Sequence, residues 1–127
     1  MALQNGILKL KGLRGAITSE SNSAKAIEEA VNELVLALIE RNKLSPEQIV
    51  SITFSVTTDL DACFPASIAR RQPGWESLAL LDCQQMYVEG DLNRCIRILA
   101  HAWLPQEQNP QHPYLGGASS LRPDRSI

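Results

Sequence analysis

Ile27, Val31, Leu34, Val35 and Leu38 recur at intervals of three and four, with Lys25, Glu28, Glu29, Asn32 and Glu33 between them. That period is the repeat of one helix face, and it describes an amphipathic helix of about five turns. Ser21, Asn22 and Ser23 precede it as N-cap candidates, since each carries a side-chain oxygen that can accept from the open N–H groups of a first turn. A helix with one apolar stripe has to lay that stripe on another element, so this stretch demands a partner layer. Leu36 falls on its polar side, a hint of a partner surface there.

Elsewhere the period changes to two. Val50, Ile52, Phe54 and Val56 alternate with Ser51, Thr53, Ser55 and Thr57, the pattern of a half-buried strand. Its other face carries only small hydroxyls, which can meet water or another subunit. Ile96, Ile98, Ala100 and Ala102 alternate with Cys95, Arg97, Leu99 and His101, so Arg97 points away from the isoleucine face of its strand. Ile7 to Thr18 has β character and carries Arg14-Gly15-Ala16 near its end. Leu78 to Leu81 is continuously apolar, as in a strand covered on both faces.

The connections are readable as well. Asn42 to Leu44 is a loop, and Ser45-Pro46-Glu47-Gln48 combines a cap, a proline at the first helical position and a capping-box glutamine. The helix it opens is short, because the alternating strand follows at once. Thr58-Asp59-Leu60-Asp61 and Glu89-Gly90-Asp91 are turns, and Phe64-Pro65-Ala66 starts a short helix that Pro73-Gly74 stops. After Trp103 the chain is rich in proline, glycine and polar residues. Strands alternate with helices over 127 residues without a repeat or long linker, which gives one α/β or α+β domain with a sheet backed by helices.

Composition narrows the function. Twelve basic residues against fourteen acidic ones leave a net charge of −2, so no net field exists to hold a nucleic-acid backbone. No apolar run approaches the roughly 20 residues that cross a bilayer, and the N-terminal stretch lacks the pattern of a leader. Nucleic acid and membrane are therefore not expected partners. Cys63, Cys83 and Cys95 are odd in number and lack CxxC spacing, which suggests free thiols in a reducing, cytoplasmic setting. All four lysines lie at or before Lys43, and every later cation is an arginine. Arginine offers a permanent, planar charge that matches carboxylates and phosphates.

The common catalytic patterns are missing: there is no GxGxxG, P-loop, HExxH or GxSxG. His101 and His112 lack companions at zinc spacing and read as a strand histidine and a surface histidine. Cys83 and Cys95 sit in apolar strands and read as core thiols. Asp59 and Asp61 read as turn residues bonding their own backbone. What remains are arginines on strands, Arg14 and Arg97. A strand-interior arginine needs an anion partner, either a neighbouring carboxylate or a ligand.

Taken in order, Gly12-Leu13-Arg14-Gly15-Ala16, Thr58-Asp59-Leu60-Asp61-Ala62-Cys63-Phe64-Pro65-Ala66, Gly74-Trp75, Gln84-Gln85-Met86, Arg94-Cys95-Ile96-Arg97 and Leu121-Arg122-Pro123-Asp124 form a family pattern. The sequence resembles the monofunctional AroH-class chorismate mutases from Leu10 to about Ser126. The resemblance implies a homotrimer whose mixed sheets, backed by helices, pack as a pseudo-α/β barrel with an active site at each subunit interface. It implies the rearrangement of chorismate to prephenate, for phenylalanine and tyrosine biosynthesis, without a cofactor or metal. Residue by residue, Arg14 would hold a substrate carboxylate, and Arg97 would contact a carboxylate and the ether oxygen of the breaking bond. Tyr114 would bond a carboxylate, while Leu81, Asp82, Cys83, Gln84 and Gln85 would line the pocket. Phe64, Ala66, Arg70, Leu121 and Arg122 would come from the neighbouring chain or its mobile tail, which begins at about residue 115 of a single domain over 1–127.

Two positions depart from that pattern. The family usually has a glutamate where this chain has Gln85, which would accept a hydrogen bond from the substrate hydroxyl without the charge that strengthens it. Ser67 stands where the typical member has lysine, and the connection from Trp103 to Tyr114 is about one residue short. Two rival readings follow from the same residues: a non-catalytic trimer that binds chorismate or prephenate, and a Rid-type imine deaminase. The pocket offers no obvious second site, so the enzyme is expected to be unregulated.

Overall fold

The computed structural model describes residues 6–125. The first residues of the stretch read as lacking a leader, and Ser126 at the end of the family pattern, lie outside the described residues. Four strands form one sheet: β1 (Leu8–Thr18), β2 (Ile49–Val56), β3 (Ala79–Gln84) and β4 (Cys95–Pro105), in the order β1-β4-β2-β3. β4 runs antiparallel to both β1 and β2, whereas β3 is parallel to β2. A parallel neighbour needs a crossover rather than a hairpin, and the chain makes it through the short helix α2 (Pro65–Ala69). The sheet is mixed and backed by helices, as expected.

The long helix α1 (Ala24–Asn42) lies where its period placed it. Ser23 is the residue that caps it, its Oγ accepting from Ala26 N–H at 3.1 Å. Asn42 closes the helix instead of opening the loop, and Lys43 follows in the left-handed region at φ 53°. Ile27, Val31, Leu34, Val35 and Leu38 are buried against Leu13 and Ile17 of β1, Ile52 and Phe54 of β2, and Ile96 and Ile98 of β4. All of these contacts are on one face of the sheet. Leu36 is exposed, as its position on the polar side requires.

Two strand expectations are corrected. A β-bulge between Ile49 and Ser51 shifts the register of β2 against β4, so Ile49 is buried and Val50 is turned outward. The extra residue of a bulge breaks the alternation that placed Val50 inside. β3 is not covered on both faces within the chain: it is the sheet edge, and Leu81 is 59% exposed. Among the described residues no α-helix packs on that face, and only the short turn of helix Gly116–Leu121 covers part of its β1 end. Leu10, Leu99 and Trp103 are exposed on the same bare face.

The turns also do more than bend the chain. Asp59 accepts from Arg94 N–H through both carboxylate oxygens, at 2.9 and 3.1 Å, and from the Thr57 hydroxyl. Asp61 accepts from Asn22 Nδ2 at 2.7 Å. Both aspartates thus tie distant segments together, where local backbone bonding was expected. No helix among the described residues is long and apolar enough to cross a membrane.

Candidate active site

Alternation along β1 and β4 puts Arg14 and Arg97 on the bare face of the sheet. Arg14 lies opposite Leu99, and Arg97 lies opposite Ala16 and Ser55. The two arginines are therefore diagonal neighbours, roughly 7–8 Å apart at the backbone. Between them opens a cavity of about 560 Å³, with Thr53 and Ser55 of β2 on its floor and Gln85, Tyr114, Leu121 and Arg122 on its walls.

The wall on the β1 side depends on Gly15. Its amide neighbour Ala16 donates to Pro113 O at 3.0 Å and accepts from Leu115 N–H at 2.8 Å, so the segment around Tyr114 runs parallel along the free edge of β1. A Cβ at position 15 would sit 2.6 Å from Pro113 O and 3.2 Å from a Leu34 methyl. Only glycine permits that approach. Arg14 N–H donates to His112 Nδ1 at 2.9 Å, which fixes the start of the same segment. Its approach is held from the other side by buried Asn42, whose amide bonds Gln111 N–H at 2.8 Å and Gln111 O at 2.9 Å. Tyr114 is then buried with Ala16, Cys95 and Ala118, and Leu121 packs on that cluster.

The polar groups are individually held. Ser55 Oγ donates to Gln85 Oε1 at 2.8 Å, and Gln85 N–H donates to Val56 O at 2.8 Å. Arg97 Nη2 lies 3.6 Å from Asp91 Oδ1, with both side chains mostly buried. Arg122 donates to Asp124 through Nε at 3.1 Å and Nη2 at 2.8 Å, and this hydrogen bonding raises the Arg122 pKa further above its ordinary value. Three guanidinium groups from three separate segments thus share one cavity, and two of them carry a carboxylate partner. Such a set favours a ligand with more than one negative charge.

The other expected residues lie elsewhere in the chain. Leu81 points from the bare face of β3 and does not line this cavity. Asp82, Cys83 and Gln84 line a different hollow, of about 600 Å³, together with Phe64. Within one chain the run from Leu81 to Gln85 is thus divided, with Gln85 on the arginine cavity and Asp82, Cys83 and Gln84 on the second hollow. Asp82 accepts from Ala66 N–H at 3.0 Å and so caps α2, whose own N-cap residue Phe64 has no side-chain oxygen to offer. Burial raises the Asp82 pKa, against the opposing pull of that N–H group and Arg70. Ala66 is buried under α2, and Arg70 is exposed away from the arginine cavity. Leu121 and Arg122, expected from a neighbouring chain or its tail, reach the cavity of their own chain. A turn at Gly116–Leu121 folds back over β1, where Gly117 N–H donates to Thr18 Oγ1 at 2.9 Å.

The thiols divide. Cys95 is a core thiol, and burial pushes its pKa up to about 11 although the Arg97 charge pulls it down. Cys83 is exposed, against expectation, because β3 is an edge strand. Among the described residues no group of three or more His, Cys, Asp or Glu side chains could hold a metal ion. Sequence reasoning missed Thr53, Ser55 and Asp91. The hydroxyl face of β2 was visible, but its register against Arg97 was not. Asp91 belongs to a local turn signal, Glu89-Gly90-Asp91, that says nothing of Arg97.

Comparison with known proteins gives one consistent answer. The family model described as chorismate mutase type I matches residues 10–125. The chain is similar to "Chorismate mutase AroH" of Bacillus subtilis, 36% identical over 94% of this chain and 95% of the relative. The protein of the same description from Thermus thermophilus is 42% identical over 91% of this chain and 95% of the relative. Among solved structures, a chorismate mutase from Clostridium thermocellum superposes with a TM-score of 0.79 at 39% identity, covering 87% of this chain and 98% of that one.

Proposed function

The chain belongs to the type I chorismate mutases, and on that premise we propose that chorismate is rearranged to prephenate in the cavity shared by Arg14, Arg97 and Arg122. The chain is an isomerase of aromatic amino-acid biosynthesis, and chorismate is its substrate. One observation carries the choice of site: three arginines, Gln85 and Tyr114 converge there from separated segments.

The reaction is an intramolecular Claisen rearrangement. One C–O bond breaks as one C–C bond forms, and no nucleophile or proton transfer is needed. An enzyme helps by holding the flexible dianion in its compact conformer, which turns a rare geometry into the bound one. It also helps by aiming fixed positive charge where the ether oxygen gains electron density. In this reading Arg14 and Arg122 grip the carboxylates, Tyr114 adds a hydrogen bond, and Arg97 faces a carboxylate and the ether oxygen. Gln85 accepts from the substrate hydroxyl. Strand-borne arginines suit both tasks, because their backbone is rigid and their charge is permanent.

The assembly we propose is a homotrimer. The bare sheet face supports it, since Leu10, Leu81, Leu99 and Trp103 form an apolar surface that a second copy would cover. The hollow with Phe64 and Asp82 also supports it, because a neighbour's copy of that edge could close the arginine cavity at an interface. Sedimentation should then give three times the 14.0 kDa chain mass. We further propose a single cytoplasmic domain over 1–127 with a tail that moves from about residue 115; the free thiols and the family match over 10–125 support the compartment and the domain.

The deciding experiment follows chorismate disappearance by absorbance and identifies prephenate as the product. Turnover is the expected result. A folded protein that leaves chorismate unchanged would remove this function from the chain.

A further inference from the structure

We propose that Asp91 is a positioning residue for Arg97, holding its guanidinium by charge from outside the cavity. The inference rests on the reading of the cavity as the chorismate site. Gln85, the polar group on the cavity wall beside Arg97, is a neutral amide, and that amide is bonded to Ser55. The carboxylate that does face Arg97 belongs to Asp91, six residues further along the chain and 3.6 Å from Nη2.

The placement suits a positioning role. Asp91 does not line the arginine cavity; it lines the smaller neighbouring hollow, whose wall it shares with Gln85. It therefore approaches the guanidinium from outside and leaves the inner edge to the substrate. At 3.6 Å the pair is longer than the roughly 2.7–2.9 Å of a charge-assisted hydrogen bond. It holds the charge without consuming an N–H donor that the substrate needs. Side-chain exposures of 21% for Arg97 and 26% for Asp91 mean that solvent screens the pair only in part.

The carboxylate is itself fixed. Asp91 N–H donates to Val88 O at 3.0 Å, closing a turn that needs a positive φ, and Gly90 provides it at +84°. Asp91 Oδ1 also accepts from Leu92 N–H at 2.8 Å, and Leu92 packs on the cluster that contains Tyr114. A long arginine side chain has several rotatable bonds to immobilise before it can aim at an ether oxygen. An anchored carboxylate behind it does part of that work before substrate arrives. It also offsets the repulsion between Arg97 and the other two cations of the cavity.

The test is Asp91→Asn, which keeps an oxygen for Leu92 N–H and removes only the charge. We expect kcat to fall about tenfold, KM to stay within about twofold, and the thermal midpoint to hold. Gln85→Glu in the Asp91→Asn background should restore most of kcat, by returning a carboxylate to the side of Arg97 that Gln85 lines. Asp91→Ser, which also keeps an oxygen acceptor, should lose kcat to the same extent and serves if the asparagine variant does not fold. An unchanged kcat in both variants would overturn the role. So would a lower KM at unchanged kcat, which would mean that Asp91 merely competes with substrate for Arg97. If wild type itself is silent on chorismate, the functional reading has failed first; if wild type is active and the variants match it, only Asp91 is misassigned.

Discussion

Ser55 Oγ donates to Gln85 Oε1 at 2.8 Å, joining the hydroxyl face of β2 to the residue that follows β3. The bond fixes which end of the amide faces Ser55 and therefore how the amide is presented to the cavity. It also explains why a serine stands opposite Arg97 in the sheet register: a larger side chain there would fill the floor that both arginines overlook.

Ser55→Ala releases that amide. A neutral hydrogen bond of this kind is worth about 1 kcal/mol, so chorismate turnover should fall about fivefold. Steady-state kinetics beside a thermal melt check it, and because the same bond holds in the folded chain the melting temperature should drop by roughly 3–5 °C.

Arg97→Ala removes the charge aimed at the ether oxygen. By analogy with the loss of a single oxyanion donor, kcat should fall at least about 10²-fold while the fold survives. Arg97→Lys should recover only part, because an ammonium restores charge but not the planar fork. Near-normal turnover in either variant would take Arg97 out of the mechanism.

Gly15→Ala places a methyl group 2.6 Å from Pro113 O, in a contact the backbone cannot absorb without moving. The segment that carries Tyr114 must shift outward, at a cost of about 1–3 kcal/mol. The denaturation midpoint should drop, and KM should rise with it because the cavity loses its wall. Gly12→Ala is the control, since a Cβ there meets nothing within 4 Å.

Cys95 supplies a pH dependence. Its pKa rises from an ordinary 9.0 to about 11, because burial disfavours the thiolate. Below pH 9 both folded and unfolded chains hold the proton, and stability is unaffected. Between about pH 9 and 11 the unfolded chain loses the proton while the folded chain keeps it, so stability falls by on the order of 2 kcal/mol as pH rises. Urea melts at pH 8 and pH 10.5 should show the loss, and Cys95→Ala should show less of it. At pH 8 a thiol reagent should modify exposed Cys83 well before buried Cys95.

Much of this protein is written locally in its sequence. The apolar stripe of α1 and the alternation of β4 each fix which side chains meet the core, because helix and strand periods are properties of the backbone alone. The same alternation sends Arg14 and Arg97 to the opposite face. The ordered motifs from Gly12 to Asp124 carried the family, and with it the reaction. Where a local irregularity intervened, the reading failed: the bulge at Ile49 and Ser51 turned Val50 outward.

Tertiary structure decided what pairs with what. Neither the edge position of β3 nor the exposure of Leu81 and Cys83 can be read from an apolar run, since strand order is a long-range choice. Asp82 lines the second hollow and also caps α2, a contact that no local pattern announces, because that helix begins at a residue with no side-chain oxygen. Asp91 looked like a turn and became the carboxylate beside Arg97. Periodicity tells each side chain which way to face; only the packing of distant segments, weighed by burial and charge, tells it which partner it will find there.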